Sequence, residues 1–167
     1  MRVAILTVSD AGSRGERPDT SGDAIARWVR ERGYTGAARA VVPDEPVAIA
    51  RHLIEWADSG QVDLVLTTGG TGLTPRDNTP EATRGVLERD APGIAEALRT
   101  AVYPRFPRAA LSRGVAGVRG RTLIINLPGS PGGVKDGLLV MEAWIDHAVE
   151  LVRDERTGHT PAEQSPG

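Results

Sequence analysis

At 167 residues, with 40% hydrophobic and 25% charged side chains, the chain has the size and composition of one soluble domain, which speaks against whole-chain disorder and membrane residence. It has no cysteine, so disulfides, thiolate catalysis and cysteine-ligated metal are excluded and any metal would be oxygen-bound. A formal net charge of -2 opposes a polyanionic nucleic-acid partner.

The chain opens with the apolar run Val3 to Val8, which is too short for a signal sequence and is cut off by Asp10, so it reads as a first strand. No run approaches the ~20 apolar residues of a membrane span, and a cytoplasmic location is the default expectation. Asp19-Thr20-Ser21-Gly22-Asp23 resembles a capping box in which Thr20 faces Asp23, opening a helix with Ile25, Trp28 and Val29 on its inner side. Ala37 to Val42 reads as a second strand. A helix follows Pro46, with Val47, Ala50, Ile54 and Ala57 at helical spacing and Ser59-Gly60 as its end. Val62 to Thr67 forms a third strand. Thr79 as N-cap, followed by Pro80, starts the next helix through Val86 and Leu87, and Pro92 restarts it.

Pro104 and Pro107 then break the chain before a short strand near Val115 to Val118. Thr122 to Leu127 is the last strong strand, and Val134, Leu138, Met141, Ile145, Ala148 and Val152 predict one long final helix. Residues 1–153 are therefore expected to fold as one α/β domain, with 154–167 a mobile polar tail. Near-continuous apolar strands alternating with helices predict a doubly wound, mostly parallel sheet. In such sheets ligands bind beyond the carboxyl ends of the strands, which directs attention to Ser9 to Gly15, Pro43 to Glu45, Thr68 to Asp77 and Pro128 to Lys135.

The run Thr67 to Ala82 is the most informative. Its glycines allow main-chain N–H groups to approach a phosphate, and the helix that follows adds favourable partial charge. It matches neither the dinucleotide-binding G-x-G-x-x-G pattern nor a P-loop, so a standard dehydrogenase or P-loop NTPase is disfavoured. Arg76 beside Asp77 suits phosphoryl chemistry, the guanidinium matching phosphate oxygens and the carboxylate holding Mg²⁺; a surface ion pair is the plainer reading. Asp44 ends the second strand and would reach the same crevice, or would serve as a helix cap. A second loop, Asn126 to Gly133, precedes the last helix. Lys135, the only lysine, falls in the expected first turn of that helix and could answer a bound anion. From Ala97 to Lys135 there are six arginines, one lysine and no acid, which is either a solvated basic face or an anion site. Ser130 lacks a G-x-S-x-G setting and no histidine lies in these loops, which argues against a serine hydrolase.

In this order, Val8-Ser9-Asp10, Asp19-Thr20-Ser21-Gly22, Val42-Pro43-Asp44-Glu45, Thr68 to Ala82, Ser112-Arg113, Gly117-Val118-Arg119-Gly120 and Leu127-Pro128-Gly129-Ser130-Pro131 resemble the molybdopterin adenylyltransferase family. That family comprises the bacterial Mog and MoaB proteins and the G domain of gephyrin-like fusion proteins, and the resemblance runs from Val3 to about Val152. It implies a three-layer fold of the molybdenum cofactor biosynthesis type, with helices on both faces of a mostly parallel sheet. The implied reaction joins molybdopterin phosphate to the AMP moiety of ATP and releases pyrophosphate, with Mg²⁺ required. Asp77 and Asp44 match the acids needed for transfer and would share the metal. Ser9, Asp10, Thr68, Gly69, Gly70, Thr71, Gly72, Arg76, Ser112, Asn126, Pro128, Gly129, Ser130 and Lys135 are the expected pterin- and nucleotide-binding residues. A homotrimer is implied, with molybdopterin synthase and a molybdate insertase as partner enzymes. Two rival readings stay open: a MoaB-type protein that binds the pterin without transfer, and an unrelated nucleotide-binding oxidoreductase.

Overall fold

The structure is a computed structural model that describes residues 1–154; the expected polar tail, apart from its first residue, lies outside the described residues. Six strands form one sheet in the order β2-β1-β3-β6-β5-β4: β1 (Arg2–Val8), β2 (Thr35–Val42), β3 (Leu64–Thr68), β4 (Arg89–Asp90), β5 (Ala116–Arg119) and β6 (Thr122–Leu127). The pairs β1/β2, β1/β3 and β3/β6 are parallel, whereas β5 returns antiparallel to β6 and carries the two-residue β4 at the edge.

Side-chain alternation along the strands builds two cores. Val3 and Ile5 of β1, Leu64 and Leu66 of β3 and Leu123, Ile125 and Leu127 of β6 pack against α2 (Thr20–Glu31), α6 (Pro131–Met141) and α7 (Ile145–Val152), with α5 (Pro92–Val102) contributing partly buried side chains. Ala4, Leu6 and Val8, with Val65 and Ile124, face α3 (Pro46–Asp58) and α4 (Thr79–Val86). This is the expected three-layer arrangement, and it explains why the central strands read as unbroken apolar runs: both of their faces are covered. A short helix α1 (Asp10–Ser13) follows β1, and a 3-10 helix spans Pro107–Leu111.

Four local expectations are corrected. The α2 cap is Asp19, whose carboxylate accepts the Gly22 N–H at 2.9 Å, rather than Thr20. Helix α3 buries Ile49, Leu53 and Ala57, leaving Val47 71% exposed, because the larger aliphatic pair at i,i+4 takes the core-facing stripe. Thr79 is the first residue of α4, not its cap, because its hydroxyl donates to the Gly69 carbonyl at 2.9 Å. The single final helix is two: α6 begins at Pro131, and a turn at 142–144 separates it from α7. Ile145 and Val149 still face the core that Met141 faces, so the apolar spacing runs through the break unchanged.

Asp63, immediately before β3 and with a side chain only 2% exposed, accepts from the Arg2 main-chain N–H at 2.6 Å and from Arg2 Nη2 at 2.8 Å, and it pairs with Arg153. Burial pushes its carboxyl up, but the Arg2 hydrogen bonds and the Arg153 charge outweigh it, and the carboxyl lies below its ordinary value. A folded-state pKa that is lowered gives stability that is present above the unfolded carboxyl value of about 3.9 and lost as pH falls through the folded value. Asp63→Asn is expected to lower stability by about 2 kcal/mol near neutral pH, the range for a hydrogen bond to a charged group. Urea midpoints at neutral and acid pH check this: the gap from wild type should close on the acid side.

Candidate functional site

The parallel strands β1, β2, β3 and β6 end on one side of the molecule, and their outgoing loops enclose a crevice of about 740 Å³. The N-termini of α2 and α6 both open onto it through Thr20, Ser21, Ser130 and Pro131. The two glycine-rich loops meet there. Thr68 Oγ1 donates to the Pro128 carbonyl at 2.6 Å, and a Cβ placed on Gly129 would lie 3.2 Å from the Gly69 Cα. Ser21 Oγ ties α2 to the same turn by donating to the Gly129 carbonyl at 2.7 Å.

Glycine is required at two of these positions. Gly69 has φ 95° and its added Cβ would stand 2.2 Å from the Val8 carbonyl oxygen; Gly70 has φ 66° and its Cβ would meet Thr79 Oγ1 at 2.3 Å. Among the described residues, the N–H groups of Gly70, Gly129 and Ser130 donate to no protein acceptor, and all three residues line the crevice. Main-chain donors without protein partners, beside two helix N-termini, suit anionic oxygen.

Three acids border these donors. Asp10 and Asp44 are reciprocally bonded, the Asp10 N–H to Asp44 Oδ2 at 2.9 Å and the Asp44 N–H to Asp10 Oδ1 at 3.0 Å. Arg76 grips Asp10 with a fork, Nη2 to Oδ1 at 2.7 Å and Nε to Oδ2 at 3.0 Å. That hydrogen bonding, helped by the Asp44 N–H, holds the Asp10 carboxyl below its ordinary value. Asp44 goes the other way: burial raises its pKa most, and the charges of Asp10 and Asp77 add to the rise against the relief from the Asp10 N–H. Asp77 Oδ2 accepts from Thr74 N at 2.9 Å and Thr74 Oγ1 at 2.7 Å. Gly70 and Gly72 admit these acids: a Cβ on Gly70 would be 3.2 Å from Asp44 Oδ1, and one on Gly72 would be 2.8 Å from Asp77 Oδ2.

Among the described residues no group of three or more His, Cys, Asp or Glu side chains is arranged to hold a metal ion. The donor set does fit a divalent cation carried in on phosphate oxygens, since Mg²⁺ commonly takes only one or two carboxylates from the protein. Asp44, whose negative charge is disfavoured by burial and by two neighbouring acids, is the group such a cation would relieve.

Of the residues singled out from sequence, Ser9, Asp44, Thr68, Gly69, Gly70, Gly129 and Ser130 line the crevice. Ser9 and Ser130 also cap α1 and α6, accepting from Gly12 N and Gly133 N. Asp10, Gly72, Arg76 and Asp77 are not among its lining residues: Asp10 is bonded to Asp44, which is, Arg76 is forked onto Asp10, and Asp77 lies against Thr74 and Gly72. Thr71 is buried beside it, its carbonyl accepting the Arg113 N–H at 2.8 Å, and the Pro128 carbonyl belongs to the Thr68 bond. Asn126 is only 4% exposed and its amide is committed: Nδ2 donates to Thr67 Oγ1 and Thr83 Oγ1, and Oδ1 accepts from Val115 N. Ser112 lines a separate pocket of about 110 Å³ shared with Asn126 and Ser130. Lys135 lies in a surface pocket with Ala24, Arg27, Trp28, Glu31, Leu138 and Leu139, apart from the crevice. Arg76 and Asp77, adjacent in sequence, are not an ion pair with each other.

The arginine-rich stretch turns inward on the protein rather than forming one anion site. Arg99 Nη1 donates to the Ser112 and Gly114 carbonyls, Arg105 pairs with Asp136, and Arg119 holds Asp58. Arg113 clamps the first glycine loop, donating to the Gly72 and Asp77 carbonyls and to Glu81. Sequence reasoning about the crevice passed over Arg17, Asp19, Ser21 and Arg113. Asp19 and Ser21 stood in a stretch whose helix-capping pattern already explained them. Asp19 accepts from Thr7 Oγ1 at 2.9 Å and from Arg39 at 2.7 Å, an assembly across β1 and β2 that no local spacing reveals.

Residues 4–147 match the family model described as "Probable molybdopterin binding domain". The chain is 39% identical over 154 residues to a molybdopterin adenylyltransferase of Helicobacter pylori, covering 91% of this chain and 88% of that protein. It is 40% identical to the molybdenum cofactor synthesis protein cinnamon of Drosophila melanogaster, covering 90% of this chain but only 25% of that longer protein. In structure it is similar to the molybdopterin biosynthesis enzyme MoaB of Thermus thermophilus, with a TM-score of 0.87 and 54% identity over 92% of this chain and 96% of that one.

Proposed function

The chain belongs to the molybdopterin binding domain family, and on that footing we propose that it is a molybdopterin adenylyltransferase of molybdenum cofactor biosynthesis. The phosphate oxygen of molybdopterin attacks the α-phosphorus of ATP; the new phosphoanhydride bond joins the pterin phosphate to AMP, and pyrophosphate leaves with the bonding electrons. No proton need be removed from the nucleophile, which is already anionic, so placement and charge neutralisation do the work. The observation that carries this reading is the contact between the two glycine loops, with Gly70, Gly129 and Ser130, whose N–H groups donate to no acceptor among the described residues, lining one crevice.

In this reading those donors orient the phosphates and the α2 and α6 N-termini favour their charge. Asp44 and Asp77 would hold Mg²⁺ arriving with ATP, and the ion would supply positive charge to the polyphosphate. Arg76 orders Asp10, and Asp10 in turn orders Asp44 through their paired main-chain bonds. We extend the proposal to a cytoplasmic homotrimer acting between molybdopterin synthase and a molybdate insertase; Tyr103, Phe106 and Leu111, all more than half exposed, offer apolar surface for such contacts. No helix among the described residues is long and apolar enough to cross a membrane.

The test is incubation of the full chain with molybdopterin and Mg-ATP, read by mass spectrometry for the adenylylated pterin and by release of pyrophosphate. Pterin that binds but returns unmodified, with no pyrophosphate, would replace this reading with the binding-protein one.

A further inference from the structure

We propose that Arg17 is the cation that binds substrate phosphate across the mouth of the crevice, a role for which the sequence offers Arg76 or Lys135. The inference rests on the adenylyl-transfer reading for the identity of the phosphate, and on geometry for the residue. Among the described residues, Arg17 is the only lysine or arginine lining the crevice.

The other cations nearby already have partners. Arg76 is forked onto Asp10, Arg39 bridges Asp19 and Asp23, and Arg113 is bound to loop carbonyls and Glu81. Lys135 is in a different pocket. The acids closest to Arg17 in the chain are committed as well. Glu16 is held by Arg14 through two bonds of 2.9 and 3.0 Å, and Asp19 accepts from Thr7, Gly22 and Arg39. Among the described residues Arg17 makes no ion pair and no hydrogen bond, and it is exposed. It is thus a guanidinium free to meet a ligand, lining the same crevice as Gly70 and Gly129 with their main-chain donors.

A guanidinium presents a planar fork that matches two phosphate oxygens, and it keeps its charge at any working pH. Among the described residues the charge lining the crevice is otherwise negative, from Asp19 and Asp44, so without Arg17 a polyphosphate would meet two carboxylates and no described side-chain cation. Two phosphates could engage it, the triphosphate of ATP or the monophosphate of the pterin, and the experiment separates them.

Arg17→Ala and Arg17→Lys are compared with wild type in the full chain for equilibrium binding of Mg-ATP, of inorganic triphosphate and of molybdopterin, at two salt concentrations. Arg17→Ala is expected to weaken the phosphate ligand it contacts about tenfold at low salt and to flatten the salt dependence of binding, as loss of one exposed charge-assisted contact requires. Arg17→Lys should recover part of the affinity, and the thermal midpoint should stay put because Arg17 supports nothing in the fold. Loss confined to ATP and triphosphate assigns Arg17 to the nucleotide; loss confined to molybdopterin assigns it to the pterin phosphate. Equal affinities for all ligands across the three proteins, or a wild type that binds none of them, overturn the proposal. A wild type that binds them with an Arg17-dependent affinity but releases no pyrophosphate sinks the transfer reaction and leaves the Arg17 site standing.

Discussion

Asp44→Asn is expected to reduce pyrophosphate release at least about 100-fold, the scale of losing a preorganised electrostatic group at a reacting phosphate, while leaving the protein at least as stable as wild type. The two halves of this expectation come from one fact. Burial and the charges of Asp10 and Asp77 push the Asp44 carboxyl above its ordinary value. A raised folded-state pKa means that the ionised carboxylate is disfavoured by the fold, so its effect on stability is absent at pH below the unfolded carboxyl value and turns unfavourable as pH rises through the folded value. The neutral amide escapes that penalty and can still accept the Asp10 N–H through its carbonyl oxygen, so the reciprocal bond at 2.9 Å survives. What it loses is the negative charge with which a cation on the substrate would be shared. Thermal midpoints at neutral and acid pH should therefore show the variant equal to or above wild type at neutral pH, with the gap closing in acid. Asp77→Asn is the companion. It should also lose turnover but with some loss of stability, because its carboxylate accepts two bonds from Thr74. Unchanged pyrophosphate release in either variant would remove that acid from the proposed chemistry.

That contrast between two acids on the same border could not be read from sequence. The glycine loops could, because their chemistry is local: a strand, a glycine run and a helix start determine where main-chain N–H groups collect. The three parallel strands with continuous apolar runs were legible for a similar reason, since burial on both faces marks every residue. The choice of side-chain partner is a tertiary property. Arg76 stands next to Asp77, which suggests a shared task, yet the fold gives it Asp10, 66 positions away. Strand β4 was invisible because Arg89 and Asp90 are both exposed and are held by main-chain pairing to Val118 and Gly117, which leaves no apolar signature. The turn between α6 and α7 was equally silent, since no glycine or proline marks it and the core-facing spacing continues across it. The basic stretch misled in the opposite direction: a run of like charge in sequence became several separate arginine contacts once acids and carbonyls from other segments were brought alongside.

Gly69→Ala should destabilise the protein by about 3 kcal/mol, and the cause is backbone rather than ligand. The new methyl would stand 2.2 Å from the Val8 carbonyl oxygen, a main-chain atom of a central strand that cannot swing aside, and φ 95° disfavours any L side chain there. Relief requires the first glycine loop to part from β1, which also pulls Gly69 away from Gly129 and breaks the contact between the two loops. Phosphate binding should therefore fall together with stability in this variant. Gly85→Ala provides the opposite sign: that glycine lies on the exposed side of α4 with nothing within 4 Å of an added Cβ, so alanine should stabilise by about 0.5–1 kcal/mol through helix propensity alone. Denaturant midpoints of the two variants and wild type decide the matter. A Gly69→Ala protein as stable as wild type would mean that the glycine loop is not held against β1 as described. The donors collected there would then have no fixed geometry with which to orient a phosphate.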